Sequence, residues 1–281
     1  MSCRICIIGL GLMGASLAGA LNGFRGARIV GVDILEDVCR RAEQSGLVES
    51  ASTVARCAIE GSDLVIFCVY AHNIPGIIAE NAGFFRLGAV VSDICGVKSG
   101  LYAKIDGLLP DGVDYVGIHP MAGRERDGFD NADPAIYRNS GLIITPLPGS
   151  KQESVSLMRE MADYIGATRI AVTPPDEHDA IIAYTSDLMH IASAGLCMDF
   201  HTGMTGAFTA GAFRDCTRIA DINAGAWTEL LMDNKAHTLK RLDCYINDLS
   251  RVRGALESGD ETELFSILDR AGRNKREMLT R

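Results

Sequence analysis

Gly9, Gly11 and Gly14, spaced Gly-x-Gly-x-x-Gly, follow directly on the apolar run Arg4-Ile5-Cys6-Ile7-Ile8. Few short patterns restrict a fold as tightly. The run reads as a strand, and Leu12 and Met13 open a helical pattern. Nineteen residues past Gly14 a second apolar run ends in Asp33. Strand, glycine turn, helix, strand and acid together make a dinucleotide-binding fingerprint. Gly9 permits the tight turn, Gly11 lets a pyrophosphate approach the backbone, and Gly14 lets the helix pack close to the strand. The helix start supplies free N–H groups and the positive end of its dipole to the phosphates. The Asp33 carboxylate suits ribose hydroxyls and repels a 2′-phosphate. No arginine stands at 34–36, so NAD is expected over NADP.

The segment 5–21 is uncharged and follows Arg4, which mimics an export signal. Its glycines stand where a phosphate loop needs them, so we expect the chain to start with its fold. The 281 residues allow one or two domains, with 47% apolar and 22% charged residues. No uncharged apolar run reaches the roughly 18 residues of a membrane span, so no membrane segment is expected. A net charge of −9 opposes a nucleic-acid surface. These features suggest a soluble, cytoplasmic enzyme. Nine cysteines lie scattered, and most are expected to be buried small apolar residues in a reducing compartment. Cys3 and Cys6 fall on opposite strand faces, and no His, Cys or acidic cluster has metal spacing.

Strand-like runs fall at 4–8, 28–33, 64–69, 89–92, 115–119, 141–145 and 169–172, with helical patterns at 12–21, 36–45, 74–85 and 98–108. This alternation predicts an α/β fold with a doubly wound, mainly parallel, Rossmann-like sheet. Thr173-Pro174-Pro175 ends it. Beyond lie helical patterns only, at about 176–200, 226–255 and 261–279. The expected division is a nucleotide-binding domain at 1–172 and an all-helical C-terminal domain at 173–281. So small a helical unit often completes its burial with a second subunit, hence an expected homodimer.

His119 closes a predicted strand within Gly117-Ile118-His119-Pro120-Met121-Ala122-Gly123. Ligands of open α/β sheets bind at the carboxyl ends of strands. A neutral imidazole there can take a hydroxyl proton while a nicotinamide takes hydride from the same carbon. By periodicity alone a structural histidine fits equally well. Lys98 fits either a phosphate contact or a solvated helix start. His178 lies twelve residues before His190, off its helical face, so the two do not form an obvious couple. His72, His201 and His237 have no motif support, and the 270–281 tail reads as a solvated helix end.

The chain resembles the prephenate dehydrogenase family, which oxidatively decarboxylates prephenate or arogenate in tyrosine biosynthesis. The resemblance covers nearly the whole chain. It rests on Gly9 to Gly14, Asp93-Ile94-Cys95-Gly96-Val97-Lys98, the His119 block with Glu125, Ser186-Asp187-Leu188-Met189-His190, and Phe213-Arg214-Asp215-Cys216-Thr217-Arg218-Ile219 followed by Trp227. It implies NAD as cofactor. It gives His119 the ring 4-hydroxyl, Arg218 a substrate carboxylate, and His190 a place on the substrate side. Glu125 and Trp227 match positions of access to the site, and Asp215 a dimer-related gate. With His119 as base, an acid limb in the ordinary histidine range is expected. Two positions depart from the pattern. Gly96 stands where the family usually has a serine that shares the hydroxyl contact. Asp187 stands where it often has histidine; it would favour an amino group on the substrate, or it points away. Two other readings remain open. One is a 3-hydroxyacid dehydrogenase of related two-domain build, although no lysine falls between Lys151 and Lys235. The other is a non-catalytic NAD-sensing module.

Overall fold

The fold is described from a computed structural model for residues 3–123, 127–199, 203 and 206–278. Strand β1 (Arg4–Ile8) leads into α1 (Leu12–Ala20), β2 (Arg28–Val32), α2 (Glu36–Gln44), β3 (Ser50–Ser52), α3 (Ala55–Ile59) and β4 (Leu64–Phe67). Then come α4 (Ile74–Asn81), β5 (Val90–Asp93), α5 (Ser99–Ile105), β6 (Asp114–Met121), β7 (Gly141–Pro146), α6 (Gln152–Tyr164) and β8 (Arg169–Val172). The strands form one sheet in the order β3-β2-β1-β4-β5-β6-β7-β8. All pairs are parallel except β6 with β7.

The strand sequences explain the layering. Ile5 and Ile7 of β1 join the core on one face of the sheet, and Cys6 and Ile8 the core on the other. In β4, Leu64 and Ile66 alternate with Val65 and Phe67 in the same way. Helices cover both faces, so these strands read as unbroken apolar runs. The chain reverses at β1, from which β2 and β3 run one way and β4 to β6 the other. That reversal opens the crevice in which such sheets bind ligands.

Three elements go beyond those expected from the sequence, two of them too short to show a pattern. β3 is three residues of Ser-Ala-Ser, too short and too polar for a periodic signal. α3 spans only five residues. α6 carries a legible stripe, with Val155, Met158 and Ala162 buried at helical spacing. Among its described residues the β6–β7 link carries 3₁₀ turns (Phe129–Asn131 and Pro134–Tyr137) and no α-helix, which fits its antiparallel pairing.

Beyond β8 the chain is helical. α7 (Pro175–Ile182) continues through a π turn (Ala183–Asp187) into α8 (Leu188–Met198). α9 (Gly211–Thr217), α10 (Ala224–Asp233), α11 (Lys235–Ser258) and α12 (Glu261–Met278) follow. The pattern expected as one helix over 226–255 is broken at Asn234, whose side chain turns into the bundle. The helix from Pro175 to Met198 is long and apolar enough to cross a membrane by length and composition, against the expectation of no such segment. It nevertheless carries His178, Asp179 and Asp187 buried among protein groups, as a bundle helix does. The cysteines depart from expectation too. Only Cys6 and Cys39 are buried, while Cys57, Cys197, Cys216 and Cys244 are exposed.

Candidate active site

The glycine turn is built as its spacing requires. Gly9 has φ +96°, and a Cβ there would stand 2.5 Å from Cys68 O. A Cβ on Gly14 would collide with Gly9 O. Gly11 differs: a Cβ there would meet nothing within 4 Å. Packing therefore does not demand glycine at 11. The open face beside it is the cradle that a pyrophosphate would fill. Gly11 is also the N-cap of α1, with no side chain capping the helix, so the first-turn N–H groups of Leu12 and Met13 remain for phosphate oxygens. Asp33 follows β2, its Oδ2 accepting from Leu10 N at 2.9 Å and its Oδ1 from Leu35 N at 3.0 Å. Each oxygen keeps a lone pair for a ribose hydroxyl. These residues fit NAD.

His119 lies in β6 near its end, two strands from β4 across β5. Its Nδ1 is 2.9 Å from His178 Nε2, and His178 Nδ1 is 2.8 Å from Asp179 Oδ1. His178 and Asp179 sit on α7 and are buried. Asp179 also accepts from Lys98 N at 2.9 Å and Ser99 N at 2.8 Å, at the start of α5. Burial alone would raise the Asp179 carboxyl, but the bonds from His178 and from the Ser99 and Lys98 N–H groups outweigh it and hold it low. An ionised carboxylate only accepts, so His178 Nδ1 donates to it. In the uncharged pair His178 Nε2 then accepts from His119 Nδ1–H, and the lone pair of His119 falls on Nε2. Helical spacing separated His178 from His190. It gave no sign that His178 reaches His119, because that contact joins two domains.

Lys98 is neither solvated nor at a phosphate. It is fully buried, with Nζ 2.5 Å from Asp93 Oδ1 and 2.6 Å from Ile118 O. Tyr115 OH donates to Asp93 Oδ2 at 2.9 Å. A buried cation now stands one residue behind His119. Burial first, then the charges of Lys98 and His178, push the His119 imidazole well below its ordinary range, with Asp179 opposing. An acid limb set by His119 would accordingly lie below the ordinary histidine range expected from the sequence.

α10 closes the opposite side. A Cβ on Gly96 would stand 3.1 Å from Leu230 Cδ1 and 3.8 Å from His119 Nε2. Trp227, one turn earlier on α10, lies against His190 of α8 with ring centroids 3.7 Å apart. His190 Nδ1 donates to Ser186 O at 3.0 Å, which leaves Nε2 for the cleft. His72 Nδ1 meets Glu229 Oε1 at 2.6 Å, and Lys104 meets Asp233, so α10 is also tied to the nucleotide-binding half. Successive turns of α10 thus meet Gly96 through Leu230 and His190 through Trp227, with His119 next to Gly96. Arg218 lies exposed in the 3₁₀ turn Arg218–Ala220, which packs on α8, and Asp215 is exposed on α9. Glu125 and His201 lie outside the described residues.

Of the two readings of Asp187, the geometry fits the second, in which the side chain points away from the substrate side. It is fully buried, and its Oδ2 accepts from Asn234 Nδ2 and Thr238 Oγ1, both at 2.8 Å. Asn234 Nδ2 also donates to Asp179 O at 3.0 Å. Asp187 therefore ties the π turn to the α10–α11 junction. Burial raises its carboxyl despite those two donors.

A Rossmann-type sheet with a glycine phosphate turn, an acid after its second strand and a histidine held between the two halves fit a nicotinamide-dependent dehydrogenase. The family model "Prephenate dehydrogenase, nucleotide-binding domain" matches residues 17–171, and "Prephenate dehydrogenase, dimerization domain" matches residues 174–270. The chain belongs to the prephenate dehydrogenase family. It is 28% identical over 272 residues to a prephenate dehydrogenase of Bacillus subtilis, covering 94% of this chain and 73% of that one. It is also 28% identical over 269 residues to a cyclohexadienyl dehydrogenase of Zymomonas mobilis, covering 92% and 89%. Among solved structures, Synechocystis arogenate dehydrogenase superposes with TM-score 0.85 at 25% identity, over 98% of this chain and 99% of that one. Prephenate dehydrogenase from A. aeolicus, in complex with hydroxyphenyl propionate and NAD+, gives 0.86 at 23% identity over 98% of each chain.

Proposed function

We propose that this chain oxidatively decarboxylates prephenate or arogenate, with His119 Nε2 as the base for the ring hydroxyl. One observation carries the reading: the His119–His178–Asp179 chain leaves the lone pair on the nitrogen beside Gly96 and the cleft. NAD, when bound, is the hydride acceptor. The hydroxyl proton passes to His119 Nε2, hydride leaves the carbon bearing that hydroxyl, and carbon dioxide leaves the opposite ring carbon as the ring becomes aromatic. The protein's part is to align the ring, polarise the hydroxyl and exclude water. Arg218 takes a substrate carboxylate as a two-pronged donor. His190, braced by Trp227, sits on the substrate side, and Glu125 and Asp215 belong to access and gating. Asp33 selects NAD.

The helical half, taken as residues 173–281, is also the dimer surface. It exposes Leu196, Met198, Phe208, Met232, Leu249 and Phe265, large apolar side chains of the kind that a partner surface covers. A family domain described as a dimerization domain covers this region, and light scattering should give twice the chain mass. The apolar part of the 175–198 helix is read as bundle and dimer surface, and the enzyme as cytoplasmic. The activity is tested by NADH formation with prephenate and with arogenate. Formation with either supports the assignment, and formation with neither, in a folded NAD-binding protein, overturns it.

A further inference from the structure

Gly96 and Leu230 are far apart in sequence, yet they meet in space, and Gly96 also lies next to His119 Nε2. The point where a Cβ of residue 96 would sit is flanked by Leu230 Cδ1 at 3.1 Å and His119 Nε2 at 3.8 Å. A contact of 3.1 Å between carbons lies inside the ordinary range of about 3.5–4.0 Å. Leu230 has therefore moved into space that any side chain at 96 would claim. It is held there from three directions. Trp227 on the same face of α10 leans on His190, Glu229 meets His72, and Asn234 just beyond the helix is bonded to Asp179 and Asp187.

We infer that Leu230 is a positioning residue for this enzyme: its methyl group, admitted by Gly96, covers His119 Nε2 against water and sets the wall on which the reacting hydroxyl is seated. The second half of that statement rests on the proposed role of His119. Several groups surround the imidazole. Lys98, paired with Asp93, lies one residue behind it at the Ile118 carbonyl, and His178, bonded to Asp179, meets its Nδ1. The acids of α10 are turned elsewhere, Glu229 to His72 and Asp233 to Lys104. Leu230 thus brings no charge to the base nitrogen, and its contribution is desolvation. Burial is also the leading cause that lowers His119. The two residues act as a pair. A serine at 96 would place a hydroxyl beside Nε2, but only after Leu230 yields.

The test uses the full enzyme and reads His119 in two independent ways. Its titration is followed by NMR of ring-labelled histidine, assigned by difference against His119→Asn. The acid limb of turnover is measured alongside. Leu230→Ala should raise the His119 midpoint by about one pH unit as water reaches the ring, and the acid limb should rise with it. Leu230→Met should restore both. Gly96→Ser alone should lower turnover about fivefold or more through overpacking, and adding Leu230→Ala should recover most of that loss. An unchanged His119 midpoint in a folded Leu230→Ala protein overturns the covering role. Undiminished turnover in Gly96→Ser overturns the pairing. A midpoint that rises while the acid limb stays fixed upholds the cover and instead refutes His119 as the base.

Discussion

Gly11 and Gly14 should fail differently on the same change to alanine, because the structure gives them different neighbours. At Gly14 the added methyl would collide with the Gly9 carbonyl oxygen and stand 3.0 Å from Cys68 Cβ. Carbon contacts settle at about 3.5–4.0 Å, so α1 must back away from β1 and β4 by something near 1 Å. Overpacking of this kind costs about 1–3 kcal/mol, which in a protein this large is a Tm drop of roughly 3–10 °C. The phosphate-facing N–H groups move with the helix, so NAD binding falls as well. At Gly11 the methyl meets nothing within 4 Å, and φ is −71°, which alanine adopts freely. Gly11→Ala should keep Tm within about 2 °C, since a surface change without such a contact stays near 0.5 kcal/mol. Its methyl would still occupy the cradle, and NAD affinity should fall about tenfold or more. Thermal melting and NAD titration by intrinsic fluorescence separate the two effects. Wild-type NAD affinity in Gly11→Ala would refute the placement of the pyrophosphate against that face. A Tm loss as large as that of Gly14→Ala would refute the claim that the face is open.

Asp33→Ser should narrow the preference for NAD over NADP, measured as the ratio of kcat/KM; an unchanged ratio would remove Asp33 from ribose recognition. His119→Asn should lower turnover by about 10²–10⁴ with NAD binding intact. The wild-type acid limb, lying below the ordinary histidine range, should vanish in that variant. The sign follows from the direction of the shift: a depressed imidazole remains a free base to lower pH, so activity persists further into acid. His178→Leu leaves the His119 Nδ1–H without its buried acceptor, a loss of about 1–3 kcal/mol. Turnover should fall about tenfold or more with KM little changed, and turnover within twofold of wild type would show that the His178 bond does not orient the base. Arg218→Ala should raise the substrate KM strongly, by the equivalent of about 2–5 kcal/mol, and leave NAD affinity unaltered.

The sequence makes the nucleotide-binding half legible because its physics is local. A strand buried on both faces must be apolar throughout, a phosphate turn must bear glycine, and both are short patterns. The same locality explains the misses. β3 is too short to show a period, and Lys98 looks like any lysine at a helix start because its partner, the Ile118 carbonyl, is twenty residues away. His178 and Asp179 are adjacent in the chain and unremarkable there; only the docking of α7 on the sheet brings them beneath His119. Asp187 shows the limit of reasoning by position alone. Its place beside the Ser186 and His190 motif left a substrate contact and an outward-pointing side chain both open, and after the π turn it is directed to Asn234 and Thr238. A one-residue expansion of a helix shifts which side chains face which neighbour, and the composition of 183–187 gives no warning of it.

The site also explains why a buried cation and a buried anion are both kept near one imidazole. A base must be uncharged before the reaction and accept charge during it. In the role proposed for His119, burial and Lys98 disfavour the imidazolium and keep its lone pair available. They do so at the cost of making proton transfer uphill. Asp179 works in the opposite sense. It reaches His119 only through His178, so its attraction grows as the proton arrives at Nε2 and the Nδ1–H bond strengthens. The cation comes from the nucleotide-binding half, on α5, and the anion from the helical half, on α7. Asp93 and the Ile118 carbonyl fix the cation within the nucleotide-binding half, and docking of α7 on the start of α5, where Asp179 accepts from Lys98 N and Ser99 N, sets the distance of the anion. Base strength is therefore a property of the domain interface. Any change that loosens α7 from α5 should leave His119 with the opposing influence of Lys98 and without the support of Asp179.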